Sequence, residues 1–165
     1  MKNNTADFWI NHLKLQQHPE GGWYKEVYRS DFKVSSDCLP SKFGGSRAVS
    51  TTIYFLLEKG NISKFHRIKS DELWHFYAGD PVCIYVITAR GKMERICLGN
   101  DPENGCLPQA TVPAGRWFAS ETKGEFSLTG CTVSPGFDFE DFEMAGQETL
   151  LKEYPQHREI ILKFT

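Results

Sequence analysis

The stretch Gly60-Asn-Ile-Ser-Lys-Phe-His66-Arg-Ile68-Lys-Ser-Asp-Glu72-Leu-Trp-His75-Phe-Tyr-Ala-Gly79 decides the reading of the fold. A Gly-Asn turn signal opens it. Two strand-like runs follow, Ile62–Ile68 and Glu72–Tyr77, joined by the polar Lys69-Ser70-Asp71. Side chains two apart share one face of a strand. Lys64, His66 and Ile68 therefore share a face, as do Glu72, Trp74 and Phe76 on the next strand. His75 and Tyr77 have the opposite parity. A carboxylate in an apolar strand is costly unless it is paired, so Glu72 calls for a partner: His66 on the preceding strand, or a structural pair with Arg67 or Lys64.

The same texture continues on both sides. Ala48–Leu57 is rich in Val, Ile, Thr, Tyr and Phe, which suit a pleated surface. Further strands are expected at Trp23–Phe32, Val82–Thr88, Lys92–Leu98, Gln109–Val112, Arg116–Ala119 and Glu125–Val133. The turns between them carry Gly or Pro, as in Gly79-Asp80-Pro81, Arg90-Gly91 and Pro113-Ala114-Gly115. Short strands at this spacing predict an all-β sandwich or barrel. Thr5–Leu15 reads as an amphipathic helix capped by Thr5 and ended by His18-Pro19-Glu20-Gly21-Gly22. Residues 33–46 and 99–105 read as loops, and Gly146–Tyr154 and Pro155–Phe164 as a helical end.

The 165 residues suit one domain, 1–165. Hydrophobic residues make up 40%, charged residues 24% and aromatics 13%, too apolar for disorder. The net charge of −2 leaves no cationic excess to follow a phosphate backbone, so a nucleic-acid partner is not expected. No apolar run reaches the ~20 residues that span a bilayer. The polar start MKNNTADFWI lacks an apolar signal core, and a cytoplasmic, membrane-free protein is expected. Cys38, Cys83, Cys97, Cys106 and Cys131 are odd in number and contain no C-x-x-C pair, which disfavours a disulfide framework or structural zinc. Cys83 and Cys131 read as buried hydrophobes, Cys38 and Cys106 as exposed loop thiols.

The spacing of the opening stretch resembles the first motif of the cupins: Gly, five residues, His-x-His, three or four residues, Glu, six residues, Gly. Gly60, His66, Glu72 and Gly79 fall in place, and Ile68 stands where the second His belongs. Pro113-Ala-Gly115-Arg-Trp-Phe118 resembles the second motif, with Phe118 in place of its His. The wider set His18-Pro-Glu-Gly-Gly22, Tyr28-Arg-Ser30, Ile53-Tyr-Phe-Leu-Leu57, Gly130-Cys-Thr-Val133, Pro135-Gly-Phe137 and Asp141-Phe-Glu143 is similar to a cupin family of unknown function labelled "predicted sugar epimerase". The resemblance runs from about Phe8 to Phe164. It implies a double-stranded β-helix, or jelly roll, with a short N-terminal helix and a helical C-terminal end. It also implies kinship with nucleotide-sugar epimerases. In metal-binding cupins three His and one Glu hold a transition metal. Ile68 and Phe118 remove two of those four ligands, so no metal and no other cofactor is expected.

These readings give the candidate site. His66 is the expected base, held in one tautomer by Glu72, with Tyr54 or Tyr77 as the hydroxyl donor across the barrel. Lys64, Trp74, Phe76, Trp117, Phe118 and Arg29 are the candidate ligand-binding residues: Lys64 and Arg29 for an anionic group, the aromatics for a flat one. His75 should point away from the cavity. Asp138, Glu140, Asp141 and Glu143 read as a solvated acidic stretch. Two functions follow: a metal-independent sugar or nucleotide-sugar epimerase or isomerase, or a cupin that binds such a ligand without converting it. A homodimer is expected, because an early strand rich in Trp, Tyr and Val needs cover.

Overall fold

A computed structural model describes residues 4–165. Helix α1 (Ala6–Leu13) begins at Thr5, whose Oγ1 accepts the Phe8 N–H at 3.3 Å. Then come β1 (Gln16–Gln17), β2 (Trp23–Arg29), β3 (Lys33–Val34), β4 (Arg47–Ala48), β5 (Thr51–Glu58), β6 (Ile62–Ile68) and β7 (Asp71–Gly79). After them run β8 (Val82–Ile87), β9 (Met93–Leu98), β10 (Gln109–Val112), β11 (Trp117–Thr122), β12 (Phe126–Ser134) and β13 (Phe142–Met144). The chain finishes on α2 (Gln147–Glu153) and α3 (Arg158–Lys163).

The strands form a six-stranded antiparallel sheet, β1-β2-β5-β12-β7-β10, and a five-stranded one, β13-β6-β11-β8-β9. This is the jelly-roll class expected of the sequence. The main core lies between the sheets. Phe55, Leu57, Trp74, Val112 and Cys131 of one meet Val82, Ile84, Val86, Leu98 and Phe118 of the other. Every residue of β8 is buried, because α2 and α3 cover the far face of its sheet with Leu150, Ile161 and Phe164. Helix α1 covers part of the other outer face, against Leu56 and Leu128. No helix among the described residues is long and apolar enough to cross a membrane.

Three short strands were hidden in the sequence: β1, β3 within the 33–46 loop, and β13. Two or three residues carry too little periodicity to show. The cysteine reading is corrected at one point. Cys106 is 3% exposed and bonded to Cys97. The Gly99–Gly105 turn folds back so that the Leu107 N–H meets the Cys97 carbonyl at 2.9 Å, which brings the two Cα atoms to 4.5 Å.

Candidate functional site

The open end of the jelly roll holds a cavity of about 610 Å³. Its floor is set by an irregularity in β6. Phe118 of β11 pairs with His66, but Ser120 pairs with Ser63, so β6 carries one extra residue between them. A bulge of this kind re-aims side chains. Ser63 and His66, three apart, both turn inward, with 0% and 2% exposure. Phe65 turns to the core under the helices, and Lys64 is left exposed.

The turn His18–Gly22 docks against this bulge. The Lys64 N–H donates to the Glu20 carbonyl at 2.9 Å. Gly21 has φ +108°, and a Cβ there would sit 2.1 Å from the Ile62 carbonyl oxygen. Gly22, at φ +74°, would bring a Cβ within 2.9 Å of the Leu56 carbonyl oxygen. Only paired glycines let the turn lie this close to β5 and β6. The approach delivers the Glu20 carboxylate to the floor. Its Oε1 accepts from Ser63 Oγ at 2.8 Å, and its Oε2 lies 3.1 Å from His66 Nε2 and 3.4 Å from His18 Nδ1.

Hydrogen bonds fix both imidazoles. His66 Nδ1 is 2.7 Å from the Lys64 carbonyl, which only accepts, so Nδ1 carries the hydrogen and Nε2 faces Glu20. His18 Nδ1 accepts the Glu20 N–H at 3.3 Å, which leaves its hydrogen on Nε2. Glu72 lines the same cavity from β7, beside the Cys131 thiol.

Burial dominates the protonation of all four groups. It pushes the Glu20 carboxyl up to about 7, against the charge of His18 and the Ser63 hydrogen bond. It pushes Glu72 up to about 7, opposed by His66 and reinforced by the field of Glu20. It lowers His66, against the field of Glu72 and the Lys64 carbonyl, and lowers His18, against Glu20. Burial thus favours the uncharged form of each group, a protonated carboxyl beside a free imidazole, an acid and a base side by side.

Above the floor stand apolar walls, Ile53, Phe55, Ile68 and Val133, and an aromatic wall of Phe137, Phe139 and Phe142. Tyr24 brings its ring edge-on to His18, with centroids 4.5 Å apart. Lys14, Lys25 and Arg29 occupy the rim, with Glu26. Arg29 is held by both Glu26 carboxylate oxygens and by the Phe137 carbonyl.

The structure brings His66, Glu72 and Arg29 of the expected set to one cavity. The direct partner of His66 is Glu20, not Glu72. The remaining candidates lie elsewhere. Tyr54 faces the outer side of its sheet, edge-on to Tyr77, because Ile53 and Phe55 take the inward positions of β5. Lys64 falls outside because the bulge breaks the parity that placed it with His66. Trp74 and Phe118 are buried in the main core, and Phe76 packs against it; the Phe118 ring lies 4.1 Å from His66, behind it. Trp117 faces the helix side, under the Arg67 guanidinium at 4.3 Å. His75 lies on the outer face, with Nε2 3.2 Å from Thr132 Oγ1. Asp141, expected in solvent, is 5% exposed and paired with Arg47. His18 and Glu20 went unread. Their signal was a His and a Glu two apart inside a Pro/Gly-Gly turn, where a simple loop needs no titratable pair.

A cupin metal would require donors at four positions, two of which are Ile68 and Phe118, and His66 Nε2 is already turned to Glu20. Among the described residues no group of three or more His, Cys, Asp or Glu is disposed to hold a metal ion. These residues do not fit the group.

Two opposed antiparallel sheets, with a polar cluster at the open end of the barrel between them, define a cupin. Residues 7–145 match the cupin superfamily branch DUF985 (Cupin_5), and the chain belongs to that family. An uncharacterised protein of Saccharomyces cerevisiae is 31% identical over 154 residues, 87% of this chain and 76% of that one. A solved Shewanella oneidensis protein is 43% identical with a TM-score of 0.89, covering 100% of this chain and 98% of its own. A hypothetical protein from Leishmania major is 39% identical with a TM-score of 0.89, covering 98% and 99%. Oxalate decarboxylase of Bacillus subtilis shares the fold alone, at 13% identity and a TM-score of 0.56 over 90% of this chain and 36% of that one.

Proposed function

We propose that this protein carries out acid–base chemistry on a sugar or nucleotide-sugar, as an epimerase or isomerase. The observation that supports this reading best is the buried Glu20–His66 contact at 3.1 Å on the floor of an open cavity. Burial raises the carboxyl and lowers the imidazole, so the proton between them favours Glu20, facing His66 Nε2. A proton leaves the carbon beside a ketone for this floor, and its electron pair passes to the carbonyl oxygen as an enediolate. The proton returns to the other face of that carbon for epimerisation, or to the neighbouring carbon for isomerisation. His18, beside Glu20, and Tyr24, packed on His18, line the same cavity as further donors, the role the sequence had suggested for Tyr54 or Tyr77. Lys14, Lys25 and Arg29 at the rim suit an anionic portion of the ligand, while the carboxyls below repel one. The aromatic wall offers a surface for a ring.

A second reading, binding without conversion, draws on the packing of Phe118 and Phe142 against the His66 ring, at 4.1 and 5.4 Å. Aromatic packing of this kind makes a rigid recognition surface. Mass spectrometry of small molecules that copurify with the native protein separates the two. A single bound sugar derivative that is recovered unchanged after incubation, and whose binding is lost in His66→Ala, favours the second reading. A bound mixture of epimers or isomers favours the first.

A further inference from the structure

We propose that Arg47 is a positioning residue: its buried pair with Asp141 holds the 137–142 segment as the wall that closes the cavity over His18 and His66. This deepens the acid–base reading and rests on it. The segment supplies four lining residues, Phe137, Asp138, Phe139 and Phe142, and touches both imidazoles. Phe139 stacks with His18 at 6.5 Å, and Phe142 lies 6.1 Å from His18 and 5.4 Å from His66. Phe139 is 55% exposed, so apolar burial alone does not fix this stretch.

The fixing comes from polar contacts beneath it. Arg47 Nε and Nη2 reach Asp141 Oδ2 and Oδ1 at 2.6 and 2.9 Å, a two-pronged geometry that sets orientation as well as distance. Both side chains are nearly buried, at 4% and 3% exposure. Arg47 also reaches Glu140, and Lys69 Nζ meets Asp141 Oδ1 at 3.1 Å. A desolvated pair of this kind is often no more stabilising than apolar packing, yet removing one partner leaves the other buried and unpaired. Its service here is geometric: it pins a short irregular segment over two titratable side chains. Arg47 hydrogen-bonds to no cavity-lining imidazole or carboxyl itself and acts through Asp141 and, more weakly, Glu140.

Histidine acylation by diethyl pyrocarbonate, read by mass spectrometry on the full chain, tests this. In Arg47→Met the labelling of His18 and His66 should accelerate on the order of a hundredfold as the wall opens locally. His75 and His157, on distant surfaces, should keep their rates. Arg47→Lys, which retains the charge and loses the fork, should accelerate the same two histidines to a smaller degree, and serves alone if Arg47→Met does not fold. Unchanged rates at His18 and His66 in a folded variant overturn the proposal, as does a uniform acceleration of all the histidines, which would mark a merely structural role. Absence of any enzymatic turnover would leave these rates untouched, so failure of the acid–base reading is told apart from failure of this one.

Discussion

Replacing Glu72 by Gln should stabilise the protein, and by an amount that depends on pH. Glu72 is 8% exposed, and its carboxyl titrates at about 7 in the folded state against an ordinary 4.5. Because the folded value is the higher one, folding favours the protonated acid. That contribution is complete below 4.5 and is lost as pH rises through about 7. At ~1.36 kcal/mol per pH unit of displacement, the loss amounts to roughly 3 kcal/mol. Gln does not titrate, keeps an oxygen that can accept from the Cys131 thiol, and carries no charge for the field of Glu20 to oppose. Glu72→Gln should therefore match the wild type near pH 4.5 and exceed it by about 3 kcal/mol at pH 8. For a chain of this size that is a gain in Tm of roughly 6–12 °C. Thermal and urea unfolding at the two pH values would measure it. An equal difference at both, or a variant less stable than the wild type at pH 8, would refute the claim that burial raises this carboxyl.

Other outcomes follow from the same structure. Phe118→Ala removes a fully buried ring wedged between His66 and Trp74 and should cost ~3–5 kcal/mol in urea unfolding; a loss under ~1 kcal/mol would mean the ring is not packed there. Protein as purified should carry well below one transition metal per chain by inductively coupled plasma mass spectrometry, and a stoichiometric metal lost in His66→Ala would redirect the chemistry. Light scattering at micromolar concentration should give a homodimer mass, with Val27 and Tyr28 of β2 as the surface to be covered; a monomer alone would contradict it.

Much of the architecture was legible because runs of six to nine residues are rich in β-branched and aromatic side chains and their turns carry Gly, Pro and Asp. His66 and Glu72 were legible because the spacing of the stretch resembles the cupin motif, whose inward positions they occupy. What failed was local. The extra residue in β6 resets the parity of Lys64 relative to His66, and nothing in Ile62–Ile68 announces a bulge; the His18–Gly22 turn that packs on it comes from far away in sequence. Tyr54 was misread because Ile53-Tyr54-Phe55 is apolar throughout, and a run without alternation does not declare its face. Glu20 was missed because a titratable residue in a Pro/Gly turn looks solvated until the turn is seen to plug the barrel. Asp141 deceived in the same way: a run of acidic residues reads as surface, while its partner Arg47 lies 94 positions earlier.

Whether the Glu20–His66 floor moves protons on a sugar ligand can be read from hydrogen exchange. A panel of nucleotide-linked and free keto-sugars is incubated with the protein in deuterated water, and deuterium at carbon beside the carbonyl is read by proton NMR and mass spectrometry. The wild type should place deuterium at one such carbon of at least one compound, with formation of its epimer or isomer, and His66→Asn and Glu20→Gln should each abolish it while remaining folded. Incorporation that is undiminished in both variants, or none from any compound that demonstrably binds, would contradict the account.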